Sequence, residues 1–325
     1  MKRLTRALLA ILLAAALVGA GGYVWFQSWL EAPGPARQDT VVLIPRGSSV
    51  SGIAQRLVDA GVVDHARLLQ LAVWQGGLAA ALKAGEYQFG PGDSPRAVLE
   101  RIAAGRVLVR RLTIPEGQTS AEIRRLVEAA EAMTGAWPAE APPEGSLLPE
   151  TYHYVHGDSR PELVARMRKA RDELLAELWG KRASGLPLAD PGQAVILASI
   201  VEAETPLAAE RPRVAGVYLN RLKRGMRLQA DPTVAYGITR GEKELDRPLS
   251  RDDLARPSPW NTYTSDGLPP TPINHPGRAS LAAALQPESH DFLFFVADGK
   301  GGHLFAQTYE QHLRNVAAYR ASQRR

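Results

Sequence analysis

The sequence predicts a mixed α+β protein carried on a single N-terminal transmembrane helix. Three observations predict it. An uncharged apolar run opens the chain, strand–turn–helix units recur downstream of it, and a helix apolar on every side follows in the second half.

The apolar run extends from Ala7 to Leu30, preceded by Lys2, Arg3 and Arg6. A helix of about 20 apolar residues crosses the roughly 30 Å of bilayer hydrocarbon. Tyr23, Trp25, Phe26 and Trp29 cluster at its far end, as an aromatic belt does at a membrane surface. The basic residues belong on the cytoplasmic side. That makes residues 1–6 a cytoplasmic tail, 7–30 the anchor, and the remainder external. A cleaved signal peptide ending at Val18-Gly19-Ala20 is the competing reading. The continuation of the run into the aromatics favours the anchor. Glu31-Ala32-Pro33-Gly34-Pro35-Ala36 then begins a stiff linker over residues 31–40.

Composition narrows the chemistry. The 325 residues give room for two modest domains, and 45% hydrophobic with 22% charged residues are globular values. With no cysteine, a disulfide framework, a thiolate metal site and a catalytic thiol are all excluded. A net charge of +5 suits anionic envelope polymers or lipid headgroups. It is too weak to argue for nucleic acid, and no zinc finger, RNA-binding aromatic motif or long basic run is present. There is also no H-E-x-x-H, G-x-S-x-G or Walker loop.

The body starts with the β-branched strand Val41-Val42-Leu43-Ile44. Pro45-Arg46-Gly47-Ser48-Ser49 supplies a turn and a helix cap. Ile53, Ala54, Leu57 and Val58 then give the apolar stripe of a helix. The same unit recurs at Leu112-Thr113-Ile114-Pro115-Glu116-Gly117-Gln118-Thr119, with Ile123, Leu126 and Val127. The interval from proline to helix isoleucine, Pro45 to Ile53 and Pro115 to Ile123, is eight positions in both. A third unit joins Gly85–Phe89, Pro91-Gly92-Asp93-Ser94, and a helix from Ala97 to Ala104 with Val98, Leu99 and Ile102 apolar. Strand, Pro/Gly turn and capped helix is a generic way to build a small α+β layer. Residues 41–110 also resemble LysM modules, which bind N-acetylglucosamine-containing glycans. A spacer or docking domain without a sugar site is the alternative.

Residues 111–325 form the second expected domain. Its stretch 134–150 is rich in Pro, Gly and Glu and reads as a loop. Helices follow over about 161–182 and over Gln193–Thr205. The second is almost continuously apolar and therefore buried. Pro206 ends it, and Pro212 fits the first position of a helix over Arg213–Lys223. The remainder reads mostly as loops and short strands, closing with Phe292–Val296 and a helix from about Tyr309 to Ala321.

Chemistry concentrates where the buried helix ends, at Glu202 and Glu204. Residues two apart on a helix point about 200° away from each other, so both cannot enter one cleft. One faces a cleft; the other is solvated or paired, with Arg211 or Arg213 as partners. Burial and the negative end of the helix dipole both favour a protonated carboxyl, the form a general acid needs. An ordinary acidic helix end is the alternative. Gln229, Asp231, Thr233, Asn261, Thr262 and Tyr263 lie in loop-like segments and are candidate substrate contacts. Asp231 before Pro232 reads equally as a turn or cap residue. His303 after Gly301-Gly302 is either a ligand contact or a structural histidine.

The run Ala198-Ser199-Ile200-Val201-Glu202-Ala203-Glu204-Thr205 continues with Glu210-Arg211, Val214-Ala215, Asn220-Arg221-Leu222, Gly225-Met226 and Leu228-Gln229-Ala230-Asp231-Pro232-Thr233-Val234. Together with Asn261-Thr262-Tyr263-Thr264, Gly267-Leu268-Pro269-Pro270, Pro276-Gly277, Phe294–Gly299 and Gly302-His303-x-Phe305, these segments resemble the endolytic murein transglycosylases of the MltG (YceG-like) family. The resemblance implies an α+β lytic transglycosylase domain with one catalytic glutamate, the second of Glu-x-Glu-Thr, which is Glu204. It implies an inner-membrane enzyme acting on peptidoglycan glycan strands within their length and terminating their elongation. Peptidoglycan synthases are the implied protein partners, and neither metal nor cofactor is implied. Glu150, between Pro149 and Thr151, matches a Pro-acid-Thr loop of the family and is a further cleft candidate; a solvated loop acid is the alternative. Two positions depart from the family pattern, Thr271 for a usual glycine and His275 for a frequent asparagine. A non-enzymatic glycan-binding scaffold and a water-using hydrolase are the rival readings.

Overall fold

The computed structural model describes residues 2–323. They divide into two units, one running through Arg110 and the other starting at Arg111. Helices and strands alternate without a shared large sheet, which makes the fold α+β.

The first unit begins with α1, Lys2–Glu31, long and apolar enough to cross a membrane. Then come β1 (Thr40–Ile44), α2 (Val50–Asp59), α3 (Ala66–Gln75), β2 (Gly85–Phe89) and α4 (Pro95–Ala104). Strands β1 and β2 pair antiparallel, with Val42 opposite Tyr87. Period-two alternation sends Val42, Ile44, Tyr87 and Phe89 into the core, where they meet Ile53, Leu57, Leu69, Val98 and Ile102. Ser49 and Ser94 cap α2 and α4 by accepting backbone N–H bonds. The helix α3 was not legible as an element, because its stretch carries neither a cap side chain nor a Pro/Gly start signal.

The far end of α1 differs from a membrane belt. Phe26 and Leu30 are buried in the core of this unit, and Trp29 packs beside them. The indole N–H of Trp29 donates to Asp64 Oδ1 at 2.9 Å. Arg96 binds Gln27 Oε1 at 2.9 Å and pairs with Glu31. Tyr23 and Trp25 stay exposed. Aromatic residues meet the needs of a bilayer surface and a protein core equally, so their type could not separate the two.

The second unit starts with β3 (Arg110–Thr113) and α5 (Ser120–Ala129), followed by β4 (Thr151–Tyr154), which pairs with β3. Next come α6 (Arg160–Gly180), α7 (Pro191–Glu204), α8 (Arg211–Lys223), α9 (Asp231–Thr239), α10 (Arg251–Ala255) and α11 (Arg278–Leu285). The hairpin β5 (Phe294–Ala297) and β6 (His303–Ala306) and the helix α12 (Tyr309–Ser322) close it. Asp190 caps α7 with Pro191 in its first turn. Pro212 falls inside the first turn of α8, one residue later than a strict first position.

Three helices appear where loops are expected: α9, α10 and α11. The last, Arg-Ala-Ser-Leu-Ala-Ala-Ala-Leu, is short and made of small residues, so it carries no amphipathic period to detect. Those small side chains let it lie close against α7 and α8, and α7 is thereby buried on every side. The segment before α11 is stitched to α7. Ser199 Oγ accepts the N–H of Ile273 at 3.1 Å, and Asn274 Nδ2 donates to Ser199 O at 2.9 Å.

Candidate active site

The helix α7 delivers its two acids to different surroundings. Glu202 is buried, and both its oxygens are bonded. Arg211 donates to Oε1 at 2.7 Å, and the Gly277 N–H donates to Oε2 at 2.9 Å. Arg211 also reaches Glu116 Oε2 at 3.0 Å. A side chain at Gly277 would collide with Glu116, so glycine permits this close approach. Burial outweighs these bonds and holds the Glu202 carboxyl above the ordinary range.

Glu204, the last residue of α7, is only partly buried. The phenol of Tyr218 on α8 donates to its Oε2 at 2.9 Å, and among the described residues no donor reaches Oε1. Burial pushes its carboxyl up to about 7. The Tyr218 bond pulls the other way, while the negative Asp231 adds to the rise. Tyr218 is itself fixed, buried and edge-on to Phe295 at 5.8 Å. Arg221, one turn further along α8, donates to Leu293 O at 2.6 Å and to Leu228 O at 2.7 Å. It ties the hairpin and the loop before α9 to the helix that carries Tyr218.

Asp231 is exposed and accepts the phenol of Tyr263 at 2.6 Å, which with burial raises that phenol. Asp231 opens α9 as its first helical residue, with Ala230 as the cap position. It is thus a helix-start residue and not a loop one. It also lines an open groove of about 730 Å³, together with Gln118, Thr119, Tyr236, Lys243 and Arg247. Ala203, next to Glu204, lines the same groove.

Four of the other sequence candidates turn inward or away. Thr233 is buried and donates to Ala230 O at 2.7 Å. Thr262, also buried, accepts the Ala230 N–H at 2.9 Å and bonds Thr233 Oγ1 at 2.9 Å. This hydroxyl pair fastens the start of α9 to the Tyr263 loop, which sets Asp231 against Tyr263. Asn261 is buried and donates to Arg256 O at 2.7 Å while accepting the Tyr263 N–H at 2.9 Å. Its amide closes the end of α10. Glu150 is exposed at the edge of β4 and does not line the groove; its carbonyl accepts the Ile114 N–H. Gln229 is exposed, with φ +51 and its N–H bonded to Thr262 O at 3.1 Å. Polarity in a loop-like segment marks both ligand contacts and internal fasteners, and only burial separates them.

One residue here carried no readable signal, and three others that the sequence singled out find internal partners. Glu144, in the Pro-rich loop, accepts the Ser120 N–H at 3.0 Å, and burial pushes it up to about 7. It stands behind the groove wall at Gly241, where a Cβ would lie 3.1 Å from its Oε1. His275 is fully buried beside it, bonded to Ser120 Oγ at 2.9 Å and to the Leu147 N–H at 3.0 Å. Burial lowers the imidazole to about 3, so the ring is neutral. Thr271, the other departure from the family pattern, accepts the Trp260 indole N–H at 3.0 Å. His303 is held by Glu210 at 2.8 Å and stands edge-on to Phe295, a structural placement.

One carboxylic acid raised to near neutrality and fixed by a buried phenol, one residue from the lining of an open groove, fits a general acid–base catalyst. The profile of the YceG-like family matches residues 42–318, and the chain belongs to that family. It is 29% identical to the endolytic murein transglycosylase of Bacillus subtilis (strain 168), over 94% of this chain and 92% of that protein. It is 28% identical to the endolytic murein transglycosylase of Streptococcus pneumoniae serotype 2 (strain D39 / NCTC 7466), covering 96% of this chain but 64% of that longer protein. The 2.6 Å crystal structure of a yceG-like protein from Listeria monocytogenes superposes with a TM-score of 0.52 at 30% identity, covering 86% of this chain and 99% of that one.

Proposed function

We propose that the protein is a membrane-anchored endolytic transglycosylase of peptidoglycan, with Glu204 as its acid and base. The observation that carries this is the Glu204 carboxyl, raised to about 7 and held by Tyr218 beside the groove, in a chain whose relatives bear that name. A hydrolytic glycosidase needs two carboxyls, one for the leaving group and one for water or a covalent bond. A transglycosylase needs one, because the substrate supplies its own nucleophile.

Protonated Glu204 gives its proton to O4 of the leaving N-acetylglucosamine as the bond to C1 of N-acetylmuramic acid breaks. The carboxylate so formed keeps the Tyr218 hydrogen bond. It then takes the proton of the C6 hydroxyl while C6–O attacks C1. The product is a 1,6-anhydromuramoyl end, and no water is consumed. Asp231 and Tyr263, whose charges couple to Glu204, are the candidate sugar contacts, with the exposed Gln229 two residues before Asp231. Thr233, Asn261 and Thr262 support that surface from within.

In this reading the apolar helix from Ala7 anchors the chain, its last residues from Phe26 to Leu30 packed into the first unit, and the basic residues at 1–6 keep the tail cytoplasmic, so both units are external. Residues 41–110 are a LysM-like module, a reading supported by the capped strand–helix units, and residues 111–325 are the catalytic domain. Peptidoglycan synthases, which make the strand that is cut, are the proposed partners.

The test is mass spectrometry of glycan strands digested by the full-length protein in nanodiscs. Anhydromuramoyl ends are expected. Reducing ends would establish a hydrolase, and intact strands a binding scaffold.

A further inference from the structure

In the first unit the sequence from Leu68 to Leu82 carries no charge. It forms most of α3 and the loop after it. Leu69, Ala72 and Val73 face the core, but Leu71 is 45% exposed and Trp74 is 79% exposed. Gly76, Gly77, Ala79 and Ala80 are exposed as well. No packing within the unit accounts for an exposed tryptophan above an uncharged loop.

The direction of α3 supplies a reason. At its start, Trp29 of α1 bonds Asp64, and its ring lies 6.4 Å from that of His65. At its end, Gln75, Gly76 and Leu78 share a cavity of about 480 Å³ with Tyr23 and Gln27. So α3 runs back along α1, toward the N-terminal part that emerges from the unit. The helix α4 does the same, with Arg96 against Gln27 and Glu31 and Glu100 in the cavity beside Tyr23. Lys83 Nζ donates to Ala104 O at 3.4 Å, which places this cation at the same end.

Helix length sets the level. About 20 residues at 1.5 Å each fill roughly 30 Å of hydrocarbon. Counted from Ala7, they end at Phe26, the first α1 residue buried in the unit. No free helix is left between bilayer and folded module, so the end of α3 lies at the depth of Tyr23 and Trp25.

We propose that the surface from Leu71 to Ala80 is a second membrane contact. Trp74 and the uncharged loop lie in the boundary between headgroups and acyl chains, and Lys83 meets the phosphates of anionic lipid. One helix leaves a module free to tilt; two contacts fix its orientation on the bilayer. The inference rests on the anchored reading of α1, and the experiment separates the two.

The chain has no cysteine, so single-cysteine variants label cleanly. An environment-sensitive fluorophore is placed by Trp74→Cys, Ala79→Cys, Leu12→Cys and Asp59→Cys on the full chain in vesicles of phosphatidylethanolamine and phosphatidylglycerol. Position 12 reports the anchor, and position 59 lies on the module away from the α3 end. Blue-shifted emission and quenching by shallow spin-labelled lipid are expected at 74 and 79, with neither at 59. Quenching at 12 with an aqueous spectrum at 74 and 79 overturns the second contact and leaves the anchor standing. An aqueous spectrum at 12 overturns the anchor and the contact with it.

Discussion

Two faces of one helix end, carrying Glu202 and Glu204, show how the same residue type two positions apart is given different work. On the Glu202 side, an arginine and a backbone N–H saturate both oxygens, and Arg211 extends the pairing to Glu116. On the Glu204 side a single phenol holds one oxygen, and among the described residues no donor reaches the other. Burial raises both acids. Only the second keeps an oxygen free to exchange a proton with a ligand. A saturated buried carboxyl is a fastener; an under-saturated one has an oxygen left for a ligand.

Glu204→Gln is the strongest way to break this comparison. The amide retains size and can still accept from Tyr218, but has no proton to transfer. Turnover of glycan strands is expected to fall at least about 10²–10⁴-fold, the usual contribution of a general acid–base group, with an unchanged circular dichroism spectrum. A folded variant with near-normal turnover would remove Glu204 from the chemistry.

Glu202→Gln should reverse the pattern, costing stability and sparing chemistry. The amide nitrogen cannot accept, so either Arg211 or the Gly277 N–H is left facing a donor, a loss of about 1–3 kcal/mol in urea unfolding. Turnover per folded molecule should remain close to that of the parent. An inactive but stable Glu202→Gln would transfer the reagent role two residues upstream.

Tyr218→Phe sharpens the comparison through pH. With Glu204 as the proposed acid, activity should fall as pH rises through about 7. Tyr218 favours the carboxylate form, and its removal raises the acid further. The alkaline limb should therefore move up, by about one pH unit. A limb that stays in place means the phenol does not touch the working carboxyl. Asp231→Asn acts in the opposite sense with a smaller effect. Removing a neighbouring negative charge eases ionisation of Glu204, so the limb should move down by a fraction of a unit. Any upward movement contradicts the assigned coupling.

The smallest expected effect is on stability. Glu204 binds its proton more tightly folded than unfolded, because its pKa rises from 4.5 to about 7. Its stabilising contribution is complete below pH 4.5 and is lost as pH rises through about 7. Glu204→Gln should flatten that part of the stability profile, measured by urea unfolding between pH 4.5 and 7. Glu144, raised to the same level, leaves a residual slope of the same sign.

By itself the sequence determined whatever depends on near neighbours. The length of α1, the alternation of β1, the serine caps, and the all-apolar character of α7 follow from local patterns. So does the separation of Glu202 from Glu204, since helical geometry alone sends them apart. It also left Arg211 in view as a partner. Tertiary structure decided what depends on residues remote in sequence: that Phe26 and Leu30 enter a protein core, that Thr233, Asn261 and Thr262 are internal fasteners, and that Asp231 starts a helix. It also decided which acid meets a phenol fourteen positions away and which meets an N–H seventy-five away. Periodicity fixes the direction of a side chain from its own helix. What waits in that direction is set by chain folded back from elsewhere, and burial by those elements is what raises the carboxyl.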